Sequence, residues 1–227
     1  MPSAVSETKI SSEIEAADRE TVNHRTIVGR HRRANTETKI IHAAILVFAE
    51  QGPDAPVIDD FIRAAGIARG TFYNYFKSTD ELRRAASEFL SEKIMKLIDK
   101  EIRQLRDPAM RFGLGIRLWM RWAESNPSWC LFIAQVWHSI KYERPLQDIR
   151  EGIRKKVFLA PDAYVAWDVV SGSIRQAMFR IGEGNARGNY GDAVVQMCLQ
   201  ALGVSAGMRS EIMNCVLPEV PRGSPRS

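Results

Sequence analysis

The chemically most distinctive stretch of the sequence is a short run of cationic, hydroxyl and amide side chains. From Phe61 to Thr79 the formally charged residues are Arg63, Arg69 and Lys77, and no acidic residue lies between them. Such a surface attracts phosphate, and the hydroxyl and amide groups of the same stretch can donate to phosphates or base edges. The stretch therefore suits duplex DNA, or it is an ordinary helical hairpin with a charged face.

Apolar residues at helical spacing place this stretch on two short helices. A first helical pattern begins at Thr36 and stops at Gly52, and a second, of about eight residues, ends at a glycine. Three residues, Gly66 to Ala68, separate the second pattern from a third, in which Phe72 and Phe76 share one face. Two short helices around a glycine turn predict a helix-turn-helix.

A long fourth helix is predicted to follow. Ser78 and Glu81 have the spacing of a capping box, and apolar residues continue the pattern toward Leu105. Further helical patterns come after Pro108, and no convincing run of alternating strand residues is seen. The predicted fold is all-α, with an N-terminal three-helix helix-turn-helix domain and a larger helical C-terminal domain. The predicted divisions are a disordered tail with a basic arm at 1–33, the helix-turn-helix domain at 34–80, the larger domain at 81–217 and a flexible tail at 218–227.

Composition is that of a folded globular protein. Of 227 residues, 45% are hydrophobic and 26% charged, which argues against a disordered or fibrous chain. The longest uncharged runs, such as Ser125 to Ile140, are too short and too polar to span a bilayer. Acidic residues occupy the N-terminus where a secretory signal needs an apolar core, so we expect a cytoplasmic protein without membrane contact.

Catalytic and metal-binding signatures were sought in the sequence. The three cysteines and four histidines show neither disulfide-type nor zinc-type pairing, and no nucleophile or nucleotide-binding fingerprint occurs. We therefore expect no cofactor, no metal site and no enzymatic activity.

One stretch resembles a known family. Residues 64–76, Ala-Ala-Gly-Ile-Ala-Arg-Gly-Thr-Phe-Tyr-Asn-Tyr-Phe, followed by Asp80-Glu81-Leu82, are similar to the DNA-binding signature of the TetR-type transcriptional regulators. The resemblance covers about residues 36–82. It implies a homodimer with an N-terminal reader of a palindromic double-stranded DNA operator and a C-terminal domain for effector binding and dimerisation. The implied function is that of a repressor released by its effector, with an activator as the alternative.

The resemblance also implies which residues contact DNA. By motif position, contacts with bases or phosphates fall to Arg69, Thr71, Tyr73, Asn74 and Tyr75. Two family contacts are missing, because Thr79 stands where a lysine is common and Pro56-Val57 where a capping threonine is common. Lys77 is the implied substitute for that lysine, and Arg32 and Arg33 are implied to reach a nearby phosphate or the minor groove.

Aromatic residues are concentrated in the second half of the chain. All five tryptophans lie between Trp119 and Trp167, and they either fill a helical core or line an apolar cavity. The resemblance favours a cavity for a small apolar or aromatic effector. The candidate lining residues are Trp119, Trp122, Phe132, Gln135, Trp137 and His138.

Two late helical segments, 162–181 and 190–202, combine apolar residues with small ones that permit close helix approach. Their candidate interface residues are Val169, Ile174, Met178, Val194 and Met197, which form either a dimer interface or intrachain core. The resemblance favours the interface. A rival interpretation, prompted by the two missing DNA contacts, is a small-molecule binding protein whose helix-turn-helix no longer reads DNA.

Overall fold

The computed structural model of the protein describes residues 29–137 and 143–220, and their regular secondary structure is helical. The all-α prediction is thereby confirmed. The helices are α1 (29–51), α2 (Ile58–Ala65), α3 (Arg69–Tyr73), α4 (Thr79–Ile102), α5 (Pro108–Ser125), α6 (Pro127–Gln135), α7 (Glu143–Arg154), α8 (Ala163–Gly182), α9 (Tyr190–Ala201) and α10 (Ala206–Asn214).

The predicted helix-turn-helix is confirmed at α2 and α3. Gly66 ends α2 in the left-handed region (φ 59°, ψ 48°), which a residue with a Cβ adopts at a steric cost. The backbone N–H of Gly66 donates to the Arg63 carbonyl at 3.2 Å, and that of Ile67 donates to the Ile62 carbonyl at 3.2 Å. After the three-residue turn, α3 begins at Arg69.

The predicted start of the fourth helix is also confirmed. Ser78 is the N-cap of α4, and its hydroxyl accepts the Glu81 backbone N–H at 3.2 Å. The Glu81 carboxylate does not complete a standard capping box; it accepts the Lys77 N–H at 2.7 Å, one residue before the cap. These bonds fix the exit of the chain from the helix-turn-helix into a helix of 24 residues.

An aromatic cluster anchors the helix-turn-helix. Phe48 in α1 is fully buried and lies 4.9 Å from the Phe61 ring in α2, measured between ring centroids. On its other side, Phe48 stacks on Phe132 in α6 at 5.3 Å and 16°. Burial of such rings is the main stabilising contribution here, and it holds α2 against the second half of the chain.

Helix α5 is the centre of the second half and packs against α4, α7, α8 and α9. Its Arg117 is only 5% exposed, and its Nε donates to Asp192 in α9 at 3.1 Å. The Nη1 of Arg117 donates to the carbonyls of Ile212 and Cys215 at 2.7 and 2.9 Å. One buried guanidinium thus joins α5 to α9 and to the end of α10.

The described residues divide into two compact units between positions 40 and 41. The predicted division at 80/81 falls inside α4 and stays a prediction. In the first unit, residues 29–33 are helical, which corrects the prediction of a loose arm there. No helix in the described residues is both long and apolar enough to cross a bilayer.

Candidate nucleic-acid interface and ligand cavity

Helix α3 separates a buried face from an exposed polar face. Phe72 and Phe76 are 0% and 3% exposed, and their burial fixes the rotation of the helix about its axis. The opposite face exposes polar side chains, with Tyr73 at 47% exposure. Of the other residues implied to contact DNA, Arg69, Asn74 and Lys77 are exposed, and Thr71 and Tyr75 are half-buried. The fold therefore leaves all six of these residues at least partly accessible, and their contact with DNA stays a prediction.

An acidic residue that precedes the predicted stretch also belongs to this surface. Arg69 Nη1 donates to Asp59 Oδ1 at 2.9 Å, with both side chains more than half exposed. The hydrogen bond with Tyr73, followed by the charge of Asp59, raises the pKa of Arg69. Sequence reasoning missed Asp59 because the charge pattern was considered only from Phe61 onward, although the helical hairpin places position 59 beside position 69.

At the two positions where a family contact is missing, the structure shows different local features. Val57 is the N-cap of α2 without a side-chain cap bond, and its backbone N–H donates to Asp60 Oδ2 at 3.0 Å. Asp60 thus satisfies the backbone N–H of the N-cap residue, whereas a capping threonine would accept an N–H from the first turn of the helix and would offer its hydroxyl to phosphate. Lys77 is exposed and lies just before the N-cap of α4.

The basic residues before Thr36 belong to α1. Arg32 and Arg33 are exposed on this helix, and the Thr36 hydroxyl donates to the Arg32 carbonyl at 3.0 Å. The helix extends further toward the N-terminus than predicted because no glycine or proline interrupts positions 30–51 and arginine has a high helix propensity. The implied contact of these two arginines with DNA stays a prediction.

A cavity of about 50 Å³ lies between α4, α5, α7 and α8. Among the predicted lining residues, Trp119 and Trp137 contribute to it, with ring centroids 5.9 Å apart in an edge-to-face arrangement. Trp167, which was not predicted, also lines the cavity. The described residues around it are Met95, Ile98, Asp99, Ile102, Arg111, Phe112, Gly115, Ile116, Trp119, Trp137, Arg144, Pro145, Asp148, Trp167 and Ile174.

Three of the other predicted lining residues, all in the described part of the chain, do not reach this cavity. Trp122 and Phe132 are 3% and 0% exposed and are core residues, as the stacking of Phe132 on Phe48 shows. Gln135 is half-buried outside the lining, and its Oε1 is buried without a hydrogen-bond partner in the described part of the chain. His138 lies outside the described residues. The local concentration of aromatic residues therefore predicted the right region of the chain, but it did not distinguish rings that line the cavity from rings that fill the core.

Charged side chains line the cavity, and the sequence analysis did not identify them. Arg111 Nε donates to Asp148 Oδ1 at 2.8 Å, and its Nη2 pairs with Glu151. Arg144 Nη1 lies 3.0 Å from Asp99 Oδ1, which links α7 to α4. Burial raises the pKa of Asp148, and the Arg111 guanidinium offsets only part of that rise. Burial also disfavours the charged form of Arg111, but hydrogen bonds to Asp148 and Glu151 hold its pKa above the usual value.

An open groove of about 780 Å³ runs between α8 and α9. Val169, Val194 and Met197 line it, and Val169 and Met197 are 52% and 65% exposed. The other two predicted interface residues are corrected to intrachain core. Ile174 is 4% exposed and lines the cavity, and Met178 is fully buried and accepts a hydrogen bond from Trp119 Nε1 at 3.1 Å.

Metal binding has no evident location in this arrangement. Within residues 29–137 and 143–220, no group of three or more His, Cys, Asp or Glu side chains is placed to hold a metal ion.

Comparison with known proteins places the helix-turn-helix in a family. Residues 40–86 match the family described as bacterial regulatory proteins, tetR family. The chain is 48% identical over 52 residues to an uncharacterized HTH-type transcriptional regulator, YvdT, of Bacillus subtilis, which is 23% of this chain and 27% of that protein. It is 29% identical over 90 residues to an uncharacterized HTH-type transcriptional regulator of Mycobacterium tuberculosis, which is 40% of this chain and 45% of that protein. The chain thus spans less than half the length of these curated relatives.

Solved structures extend the likeness in fold to most of the chain. RolR in complex with resorcinol has a TM-score of 0.56 at 24% identity and covers 85% of this chain and 100% of its own. FadR from Bacillus subtilis in complex with stearoyl-CoA has a TM-score of 0.61 at 16% identity, covering 72% and 98%. A TetR family transcription regulator from Marinobacter aquaeolei has a TM-score of 0.65 at 15% identity, covering 76% and 98%. The family resemblance predicted from the sequence is confirmed for residues 40–86, which match the tetR family of bacterial regulatory proteins.

Proposed function

We propose that this protein is a ligand-responsive, sequence-specific DNA-binding transcriptional regulator. The observation that carries the proposal is the exposed polar surface of α3 and its C-cap, which presents Arg69, Tyr73 and Asn74. The opposite face of the helix is buried through Phe72 and Phe76. A helix of this kind enters the major groove with its side chains toward base edges while its neighbours contact phosphates.

The proposed regulator is a homodimer that reads a palindromic operator. The groove between α8 and α9 supports this, because it leaves Val169 and Met197 more than half exposed on a helical pair. Two copies meeting there around a two-fold axis would present two α3 helices to two half-sites. The half-sites would then be one helical turn of DNA, roughly 34–36 Å, or a multiple of it apart.

The proposed effector is a small apolar or aromatic molecule that binds in the cavity and releases the repressor from DNA. Met95, Ile98 and Ile102 of α4 form one wall of the cavity, and α4 begins directly after the helix-turn-helix. A ligand that displaces this wall therefore has a physical connection to α3. The relatives in fold carry ligands of very different size, resorcinol in RolR and stearoyl-CoA in FadR, and the cavity volume here favours the smaller kind.

The proposal is tested by selecting duplexes from the source genome and titrating them by fluorescence anisotropy at several salt concentrations. We expect specific binding that weakens steeply as salt rises, because cationic side chains displace counterions from phosphate. Tyr73→Phe should weaken operator binding about fivefold through the loss of one hydrogen bond. The matched control is Tyr164→Phe, a tyrosine on α8 that is also more than a third exposed, at 59%, and this change should not affect binding. Binding without sequence preference would contradict the proposal.

A second candidate function rests on the two missing family contacts. Val57 and Thr79 offer no capping hydroxyl and no lysine to the phosphate backbone, and Asp59 pairs with Arg69 on the reading surface. These features favour a small-molecule binding protein that no longer reads DNA. The same titration distinguishes the two functions, because the second one predicts that the protein binds a small ligand but that no duplex is selected from the genome.

A further inference from the structure

The charged side chains of the cavity compensate one another. Asp99 and Asp148 carry two negative charges, Arg111 and Arg144 carry two positive charges, and each arginine is paired with one of the carboxylates. The remaining lining is dominated by aliphatic and aromatic residues. A ligand that enters therefore meets an apolar cavity without a net charge to neutralise.

The guanidinium of Arg111 has little capacity left for an anionic ligand. Its Nε donates to Asp148 and its Nη2 to Glu151, while its Nη1 donates to the carbonyls of Leu105 and Arg106 at 3.0 and 3.1 Å. These bonds engage most of the five N–H groups of an arginine. A carboxylate ligand would have to break a buried ion pair, which is costly because it leaves Asp148 without its partner.

Asp148 retains an acceptor for a ligand. Its side chain is 8% exposed, and its Oδ1 accepts from Arg111. In the described residues, Oδ2 receives no hydrogen bond, although a carboxylate oxygen can accept two. A hydroxyl donor on the ligand would therefore find an oxygen that can accept its hydrogen bond.

The cavity has aromatic walls, and it would admit a single ring only with a displacement of one wall. Trp119 and Trp137 meet edge to face, and Phe112 and Trp167 complete an aromatic surround. A volume of about 50 Å³ is well below the roughly 150 Å³ of an apolar cavity that binds benzene. One ring therefore enters only if a wall moves outward, and Met95, half-buried and unbranched, is the most adaptable lining side chain. A long chain or a bulky polycyclic ligand would require far more displacement.

We propose that the effector is a neutral, single-ring aromatic molecule with a hydroxyl donor, of the phenol class, and that its hydroxyl donates to Asp148. This inference rests on the proposed sensor function of the cavity and adds the chemistry of its ligand. Asp148 is the specificity-determining residue, because its carboxylate accepts a hydrogen bond from a ligand donor and repels a ligand carboxylate.

The test measures the binding of three probes to the full chain by calorimetry and tryptophan emission at neutral pH. Phenol has the ring and the donor, anisole has the ring without the donor, and benzoate has the ring with a negative charge. We expect phenol to bind at least about tenfold more tightly than anisole, as the loss of a hydrogen bond to a charged group predicts. Benzoate should bind most weakly. Equal binding of phenol and anisole, or tightest binding of benzoate, would overturn the proposal.

Two variants locate the interaction. Asp148→Asn should reduce phenol affinity about five- to tenfold and leave anisole unaffected, because an amide oxygen is a weaker acceptor than a carboxylate. Asp168→Asn is the matched control, an exposed acid on α8 outside the cavity lining. Since Asp148→Asn also removes an ion pair with Arg111, a second variant is needed whose folding is not in question.

Gly115→Ala is that second variant. A Cβ at Gly115 meets Ile102 Cδ1 and Ile98 Cγ2 at 3.6 Å, an ordinary contact, so it occupies cavity space without a clash. It should weaken phenol and anisole alike, and unchanged binding of both would place the site elsewhere. Operator binding is measured on the same samples without probe. Loss of selective probe binding with DNA binding intact refutes only the ligand class, whereas the absence of any selected duplex refutes the regulator itself.

Discussion

Replacing Gly152 with alanine is expected to destabilise the chain, although alanine has the higher helix propensity. Gly152 is buried in α7, and a methyl group there would lie 2.9 Å from Phe158 Cγ and overlap the ring edge. Phe158 is 2% exposed and lies edge to face with Phe112, at 5.6 Å between centroids, so its ring cannot swing into solvent. Overpacking of this kind lowers the free energy of unfolding by about 1–3 kcal/mol. The higher helix propensity of alanine offsets about 0.5–1 kcal/mol of that loss.

The net loss is therefore centred on about 1 kcal/mol and reaches at most about 2.5 kcal/mol, which corresponds to a fall in Tm of roughly 2–4 °C at the centre and up to about 10 °C for a chain of this length. Thermal unfolding followed by circular dichroism measures it. The matched control is Gly207→Ala in α10, where a Cβ meets no atom within 4 Å, so Tm should stay constant or rise. If Gly152→Ala unfolds at or above the wild-type temperature, the ring of Phe158 is not held as tightly as its contacts imply.

Three further changes test other parts of the structure. Asp59→Asn should free Arg69 and raise affinity for any duplex by about two- to fivefold, as anisotropy measures, whereas Asp54→Asn, which removes an equal charge with no link to Arg69, should have a smaller effect. Arg117→Met should lower the free energy of unfolding, measured by urea denaturation, by about 3–5 kcal/mol, because it leaves one carboxylate and two backbone carbonyls without their hydrogen-bond donor. Met197→Glu should yield monomers in sedimentation with weak operator binding, and an unaltered dimer would remove the α8/α9 groove from the proposed interface.

The helix-turn-helix could be predicted because local physics determines it. The positive φ of Gly66, the side-chain cap at Ser78 and the burial of Phe72 and Phe76 each depend on residues within a few positions. The family resemblance then identified which exposed residues share a surface. The start of α2 is an exception, because the sequence lacks the usual threonine and does not indicate that Asp60 accepts the backbone N–H of the N-cap residue.

The cavity could be predicted only as a region. Trp119 and Phe132 are equally aromatic and near in sequence, and only the packing of other helices decides that one lines the cavity and the other stacks on Phe48. The same holds for Met178, whose helical position resembled a surface residue although Trp119 covers it. Arg111 and Asp148 lie 37 positions apart, so no local pattern indicates their pairing.

Helix α4 is the element through which the two proposed sites would communicate. It carries the Ser78 cap at one end and cavity residues near the other, and the 20 positions between Thr79 and Asp99 correspond to about 30 Å of helix. Over that length a tilt of about 4° moves one end by roughly 2 Å, enough to misalign a recognition helix against its bases. The Asp99 pair with Arg144 opposes such a tilt because it ties α4 to α7. A ligand in the cavity changes DNA affinity only by as much as it binds the tilted and untilted forms differently. A ring that already fitted the present cavity would stabilise the untilted form, whereas a ring that needs a wall to move outward would bind the tilted form better. The small volume of the cavity is therefore what would let a ligand act as a switch.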